Sequence, residues 1–143
     1  MHRTPARSTV LKWTTRRLDV DSLQLRVLVV DDNMDAGDAL SAYLSIENID
    51  CRVAYGGRQA IQTAIDWDPH VILMDISMPE CNGFEALLAV RHDARTAGIA
   101  IVAHTALDEA EVRRQVLHEK FDGYFQKAQS PQTLIAFIRS FVH

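Results

Sequence analysis

The run LRVLVV at residues 25–30, which leads directly into Asp31-Asp32, decides how this chain folds. It is short, almost continuously apolar and rich in β-branched side chains. The run VILM at residues 71–74 repeats the pattern and leads into Asp75. Continuous apolar runs of this length are typical of strands in a parallel sheet that helices cover on both faces.

Three more strands are predicted, a weaker one at residues 51–55 and two others at residues 99–103 and 123–125. Between the strands, apolar residues recur at helical spacing and predict five helices. The fourth is predicted over residues 106–117, and the last begins with Ser130-Pro131 as N-cap and first helical residue. Right-handed crossovers then give a doubly wound, three-layer αβα arrangement. We expect a flavodoxin-like fold with five parallel strands in the order 2-1-3-4-5.

Length and composition exclude several classes of protein. A chain of 143 residues is long enough for one domain, and its longest apolar runs are far shorter than the roughly 20 residues of a membrane span. No secretory signal is visible at the amino terminus. Cys51 and Cys81 have no metal-binding or redox spacing and are interpreted as free thiols. We therefore expect a cytoplasmic protein without membrane insertion.

The formal net charge of −4 hides an asymmetry along the chain. Residues 1–24 carry a net charge of +3, and residues 25–143 carry −7. We interpret residues 1–24 as a flexible basic arm, with docking of the arm on the acidic body or on a partner as the alternative. The acidic body argues against direct binding of nucleic acid, which requires a basic face.

Polar residues follow the predicted strands at the ends where parallel strands meet one edge of the sheet. Asp31-Asp32 and Asp75 follow the first and third strands, Thr105 follows the fourth and Lys127 the fifth. Ligands of doubly wound sheets bind at this edge. Three carboxylates in one place repel one another, and a divalent cation that prefers oxygen ligands, such as Mg²⁺, resolves the conflict.

This combination of groups is suited to phosphoryl transfer. A carboxylate can act as nucleophile and form an aspartyl phosphate, while a lysine, a hydroxyl and Mg²⁺ neutralise and position the phosphoryl group. Asp75 is the better candidate nucleophile, and Asp31-Asp32 the better metal cradle. His104 is interpreted as a tolerated strand-end residue rather than a base. Each residue alone has an ordinary structural explanation, and their coincidence at matching strand ends is the informative observation.

Four motifs resemble one known family. They are VLVVDDN at 27–33, VILMDISMPECNGFE at 71–85, AHTA at 103–106 and GYFQK at 123–127. Together they are similar to the receiver domain of two-component response regulators, the CheY-like family. The resemblance covers residues 25–143 and is specific because all four motifs occur in order.

The resemblance implies a role for each residue of the site. Asp75 would be the phosphoacceptor, Asp32 would ligate Mg²⁺ directly, and Asp31 would help through a water molecule. The backbone carbonyl of Ser77 would complete the protein ligands, with Asp75 itself among them. Thr105 would be the hydroxyl that moves toward the phosphoryl group.

The resemblance also implies a switch and partners. Lys127 would pair with the phosphoryl group, and Tyr124 would act with Thr105 to report phosphorylation to the surface of the fourth helix, fifth strand and fifth helix. The donor would be a histidine kinase or histidine phosphotransfer protein, and the downstream target protein is unknown. A homodimer through the same surface is left open. The chain would be a signalling module, not an enzyme beyond its own phosphorylation and dephosphorylation.

Three positions, Ala128, Gln129 and Leu107, depart from or vary within the family pattern. The family usually has Lys-Pro with a cis bond where this chain has Lys127-Ala128, followed by Gln129. A cis bond before a residue other than proline costs roughly 3–4 kcal/mol, so we expect either a trans bond with a reshaped loop or a strained cis bond. Leu107 is apolar and near the expected phosphoryl position, which predicts a long-lived phosphorylated state.

Other functions fit the residues less well. A phosphatase with an aspartate nucleophile needs a second Asp two positions later, where this chain has Ser77. The loop DDNMD after the first strand would repel the phosphate of FMN, which argues against a flavodoxin. A receiver that no longer accepts phosphate would not need all the acceptor residues. We expect no output domain after Val142, and the choice between a free-standing regulator and part of a hybrid kinase is left open.

Overall fold

The parallel strands have the predicted order. The structure is a computed structural model that describes residues 9–18, 24–77, 83–115 and 120–142. The strands of these residues are β1 (Val10–Lys12), β2 (Arg26–Val30), β3 (Asp50–Ala54), β4 (Val71–Met74), β5 (Ala100–Thr105) and β6 (Gly123–Gln126). The helices are α1 (Met34–Ile46), α2 (Gly57–Trp67), α3 (Gly83–His92), α4 (Glu109–Gln115) and α5 (Pro131–Arg139). In space the strands run β1-β6-β5-β4-β2-β3. When the parallel strands are counted along the chain from β2 as the first, they have the expected order 2-1-3-4-5.

Alternate residues of the buried strands face two different helix layers, as the period of a strand requires. One apolar cluster joins one set of strand residues to α1 and α5, and the other joins the second set to α2, α3 and α4. On β2 and β4 the first set is Val27, Val29, Val71 and Leu73, and the second is Leu28, Val30, Ile72 and Met74. The flavodoxin-like, three-layer αβα fold is thus confirmed.

Side-chain caps explain where the helices begin. Asn33 accepts the backbone N–H of Ala36 at 3.1 Å at the start of α1, and Ser130 caps α5 ahead of a proline, as the sequence predicts. The fourth helix was predicted from Ala106 but begins at Glu109, because the Asp108 side chain accepts a backbone N–H in its first turn. None of the described helices is long and apolar enough to cross a membrane.

The count of five strands is wrong, because the described residues form a sixth. Strand β1 pairs antiparallel with β6, and Leu18 forms a bridge with Val142. Residues 9–18, which we call the strap, therefore lie along the edge of the sheet, although the sequence interpretation placed them in a flexible arm. The strand is only three residues long and its order comes from pairing with β6, a tertiary effect that local sequence does not reveal.

Only one of the two cysteines, Cys51, lies within the described residues. Cys51 is a free, half-buried thiol, and burial is the main cause of its raised pKa. Cys81 lies outside the described residues, together with Met78-Pro79. The prediction of a free thiol at Cys81 stays a prediction.

Candidate functional site

The backbone places the polar strand-end residues by continuing the hydrogen-bond ladder of the sheet. Three residues beyond the strand cores each donate an N–H to the end of a neighbouring strand. These bonds are Asp31 to Ala54 (3.0 Å), Asp75 to Val30 (3.0 Å) and Lys127 to Thr105 (2.9 Å). The side chains are therefore held at one edge of the sheet by main-chain geometry.

The three predicted carboxylates come together there. Each of Asp31, Asp32 and Asp75 offers a carboxylate oxygen, and these oxygens all lie within 4.8 Å of one another. Asp31 and Asp75 are buried, at 4% and 6% exposure, and Asp32 is exposed. With Lys127, they form what we call the rim site. Three acidic oxygens at this separation fit a hard divalent cation such as Mg²⁺, which binds one or two carboxylates and keeps water ligands.

Lys127 bridges the two buried carboxylates. Its Nζ donates to Asp31 Oδ2 at 2.7 Å and to Asp75 Oδ2 at 3.0 Å. Burial by itself lowers the pKa of Lys127, but its hydrogen bonds to the two carboxylates and their charges together outweigh burial, so the pKa is raised. The lysine stays an ammonium ion, and the rim site carries three carboxylates against one cation.

Local turns fix the orientation of the two buried carboxylates. Asp31 Oδ1 accepts the N–H of Asn33 at 2.9 Å, and Asp75 Oδ1 accepts the N–H of Ser77 at 3.0 Å. Each carboxylate therefore binds a backbone amide with one oxygen and Lys127 with the other. Behind Asp75, a Cβ on Gly83 would lie 2.3 Å from the Asp75 carbonyl oxygen, so only glycine permits α3 to begin this close to the site.

A chain of contacts leads from the rim to β6. Thr105 is buried, and its Oγ1 accepts the N–H of Leu107 at 3.2 Å. The carbonyl of Leu107 in turn accepts the hydroxyl of Tyr124 at 2.7 Å. Burial, with the negative charges of Asp108 and Glu109, raises the pKa of Tyr124 to about 12. Tyr124 is thus a neutral, buried hydrogen-bond donor tied to the loop that begins at Thr105.

The peptide bond after Lys127 is the trans bond of the first expectation, not a strained cis bond. The Lys127–Ala128 bond is trans, since no described peptide bond is cis. Gln129 lines a cavity of about 200 Å³ beside the rim site, together with His104 and Lys127.

His104 is buried, and burial followed by the charge of Lys127 lowers its pKa to about 4. It is therefore neutral near neutral pH.

A third buried carboxylate, outside the rim site, was not anticipated from the sequence. Asp122 is fully buried just before β6, and we call it and its partners the Asp122 site. Its Oδ2 accepts Nη2 of Arg91 at 2.5 Å and the N–H of Ile101 at 2.8 Å. Its Oδ1 accepts the Thr14 hydroxyl at 2.7 Å and Nε of Arg16 at 2.8 Å. The only local signal for a buried carboxylate was that Asp122 follows Phe121 and directly precedes the predicted strand at residues 123–125.

The structure thus brings most predicted site residues together. Asp31, Asp32, Asp75 and Lys127 form one cluster, and Ser77 is held against Asp75 by its backbone amide. Thr105 and Tyr124 are connected through Leu107, whose amide binds Thr105 and whose carbonyl binds Tyr124.

Comparison with known proteins identifies the family to which this site belongs. Residues 27–139 match the response regulator receiver domain, and the chain belongs to this family of two-component signalling modules. Two solved structures share its fold. The chemotaxis protein CheY4 of Vibrio cholerae has a TM-score of 0.76 at 26% identity, covering 82% of this chain and 98% of that one. The receiver domain of the Francisella response regulator 1452 has a TM-score of 0.72 at 25% identity, covering 82% and 96%.

Curated relatives support the same family. An uncharacterized 14.6 kDa protein of Leptolyngbya boryana is 30% identical over 118 residues, which are 82% of this chain and 90% of that protein. The DNA-binding response regulator MtrA of Mycobacterium tuberculosis is 30% identical over 85% of this chain and 52% of its own length. The transcriptional regulator RpaA of Synechocystis sp. is 28% identical over 80% and 48%. This chain spans about half the length of these two DNA-binding relatives.

Proposed function

We propose that the chain accepts a phosphoryl group on Asp75 from the phosphohistidine of a kinase or phosphotransfer protein in the cytoplasm. The observation that carries this proposal is the cluster of three carboxylates within 4.8 Å with Lys127 bonded to two of them. An excess of negative charge is unfavourable in a resting protein and useful where a cation and a phosphoryl group bind.

In the proposed step, a carboxylate oxygen of Asp75 attacks phosphorus. A P–O bond forms, the P–N bond to the donor imidazole breaks, and the electron pair leaves with the imidazole. Asp31, Asp32, Asp75 and the Ser77 carbonyl would hold Mg²⁺, which supplies charge neutralisation at the phosphoryl oxygens. Lys127 exchanges its bond to Asp75 for one to a phosphoryl oxygen.

The hydroxyl of Thr105 is positioned to report the new group. When Thr105 turns toward a phosphoryl oxygen, its Oγ1 no longer accepts the Leu107 amide, and the carbonyl that holds Tyr124 is free to move. Two packed arrangements biased by a new dianion form a switch. We propose that the switch acts on the surface of α4, β6 and α5, where a downstream protein binds. The acidic body makes a protein target more favourable than nucleic acid.

Incubation with acetyl phosphate and Mg²⁺, followed by intact-mass measurement, tests the proposal. We expect the wild-type chain to gain the mass of one phosphoryl group, and the gain to disappear with EDTA and in Asp75→Asn. Asp35→Asn is the matched control, because Asp35 is an exposed carboxylate in the first turn of α1 outside the cluster. An unmodified wild-type chain, or an equal gain in Asp75→Asn, would contradict the proposal.

A further inference from the structure

The strap covers the outer edge of β6 along its whole length. Strand β1 pairs with residues 123–125 in antiparallel register, and bonds at each end extend the pairing. The N–H of Gln126 donates to the Thr9 carbonyl at 2.8 Å, and that of Trp13 to the Asp122 carbonyl at 2.9 Å. The strand edge is therefore not available to another protein while the strap is in place.

The strap also reaches both helices that flank β6. On the α4 side, the guanidinium of Arg113 lies 5.5 Å from the centre of the Trp13 ring. On the α5 side, Val10 packs against the apolar cluster that includes the buried residues of α5. At the carboxyl end of this helix, Lys12 Nζ donates to the carbonyl of the cap residue Ser140 at 2.7 Å and lies 4.7 Å from the centre of the Phe141 ring. The strap thus occupies the same three elements, α4, β6 and α5, that we propose as the partner surface.

Two features show that the body is shaped to receive the strap. Asp122 binds it through Thr14 and Arg16, as described above. Gly123 lets its backbone approach, since a Cβ at this position would lie 2.9 Å from the Leu11 carbonyl oxygen and 2.7 Å from a ring carbon of Phe137. The contact is therefore specific rather than a loose association of a basic segment with an acidic surface.

Trp13 connects the strap to the switch residues. Its ring stacks on Tyr124, with centroids 5.8 Å apart and an angle of 15° between the planes. The Tyr124 hydroxyl binds the Leu107 carbonyl, and the Leu107 amide binds Thr105. A continuous series of contacts therefore runs from the rim site to the strap. A change at Thr105 alters the position of the ring on which Trp13 packs.

We propose that the strap is an intramolecular cover of the α4–β6–α5 surface, present in the unphosphorylated chain and displaced when Asp75 is phosphorylated. This inference rests on the proposed function, because it needs a phosphoryl group at the rim site. Displacement leaves the five parallel strands intact. By thermodynamic linkage, undocking the strap must favour the phosphoryl-bound form by the same factor by which the phosphoryl group weakens docking of the strap, and a variant that weakens docking gains up to this factor.

Two measurements on the same sample test the inference, with beryllofluoride and Mg²⁺ as the stable phosphoryl mimic. The first is hydrogen exchange of the strap and β6 amides. The second is fluorescence of Trp13 in a Trp67→Phe background, where it is the sole tryptophan. We expect exchange in both segments to accelerate, and Trp13 emission to shift to longer wavelength with greater quenching by acrylamide.

Variants test the linkage. Trp13→Ala removes the stacking on Tyr124. Arg113→Ala removes the contact of α4 with Trp13, together with an exposed ion pair to Glu109 within α4. Because it changes an exposed side chain, it keeps the test valid if Trp13→Ala unfolds. Weakening the strap should increase the affinity for beryllofluoride, by a factor within the roughly 5- to 150-fold range of allosteric coupling. The increase in affinity should be smaller in Arg113→Ala than in Trp13→Ala. Arg95→Ala is the matched control, because Arg95 is an exposed arginine paired with Asp93.

The outcomes separate the two proposals. If acetyl phosphate adds no phosphoryl mass and beryllofluoride does not bind, the proposed function fails and the cover fails with it. If the mimic binds while strap exchange, Trp13 fluorescence and variant affinities stay unchanged, only the cover is overturned, and the strap is a permanent sixth strand.

Discussion

Two buried acidic sites lie at opposite ends of the same sheet, and they differ in how their charge is compensated. At the rim site, three carboxylates share the ammonium of Lys127. At the Asp122 site, one carboxylate binds two guanidinium groups, a hydroxyl and a backbone amide. Both sites include carboxylate oxygens that accept backbone amides, so this kind of contact does not distinguish them.

The difference in charge separates structure from function. The single carboxylate of Asp122 has a donor for each oxygen and more positive than negative charge around it, which is the arrangement of a stabilising buried pair. The rim site keeps an excess of negative charge that the protein itself does not neutralise. Such an excess is expected where a cation and a phosphoryl group complete the site.

The largest expected effect is at the Asp122 site. Asp122→Asn leaves the guanidinium of Arg91 buried without its counter-ion, and breaking a buried pair in this way costs about 3–5 kcal/mol. Chemical denaturation followed by circular dichroism measures the loss. Asp93→Asn, which changes a half-buried surface carboxylate paired with the exposed Arg95, should cost far less stability than Asp122→Asn. A similar loss in both variants would show that the Asp122 site is not specially stabilising.

An intermediate effect concerns His104, which lies beneath the rim site. Its pKa is lowered to about 4, first by burial and then by Lys127, against the opposing charges of Asp31 and Asp75. The unfolded chain protonates this imidazole below its ordinary pKa of about 6.5, whereas the folded chain does not until about pH 4. Folding stability therefore falls as the pH falls through this window, by up to about 3 kcal/mol.

His104→Asn removes this titration while keeping a small polar side chain. Denaturation of both proteins at pH 7 and pH 4 gives the comparison, and the variant should lose about 3 kcal/mol less than the wild type over this interval. Equal losses in the two proteins would mean that the carboxylates, not His104, account for acid sensitivity.

The smallest effect is at Asp32, the exposed member of the rim site. Two unit charges a few ångströms apart in water interact by about 1 kcal/mol, so Asp32→Asn should raise stability in Mg²⁺-free buffer by about 1 kcal/mol or less. The same variant should lose most of the stabilisation that added MgCl₂ gives the wild type. Urea denaturation with and without MgCl₂ measures both changes.

Asp35→Asn is again the control for this experiment, since it removes a nearby exposed charge without touching the cluster. Its response to MgCl₂ should match that of the wild type. If Asp32→Asn were destabilising without Mg²⁺ and responded normally to MgCl₂, the contrast between the two acidic sites would be mistaken.

The rim site was predictable from sequence and the Asp122 site was not, for a physical reason. Asp31 and Asp75 directly follow apolar runs, and a parallel sheet necessarily brings the ends of such strands together. The charge of Asp122 is compensated by Arg91 and Arg16, which are 31 and 106 residues away along the chain. No local pattern marks a pair at that separation.

The same reasoning explains what was predictable in the fold. Four of the five parallel strands, β2, β4, β5 and β6, were visible because they are buried along most of their length and are therefore mainly apolar. The edge strand β3, with the sequence DCRVA, is half-exposed and gave a weaker signal. Strand β1 is half-exposed and three residues long, so its sequence VLK differs little from that of a loop. The start of α4 was placed too early because Ala106 and Leu107 are apolar, whereas the cap at Asp108 decides the boundary.

The strap has a further consequence for the behaviour of the protein in concentrated solution. Without β1, the parallel sheet would end at β6 with a row of unpaired amides and carbonyls, and open strand edges of this kind promote aggregation. A short outer strand that carries the exposed side chain of Lys12 is a poor template for further pairing. The strap, which we propose as a cover for the α4–β6–α5 surface, therefore also protects the sheet from self-association. Its release would expose the unpaired edge of β6 together with that surface.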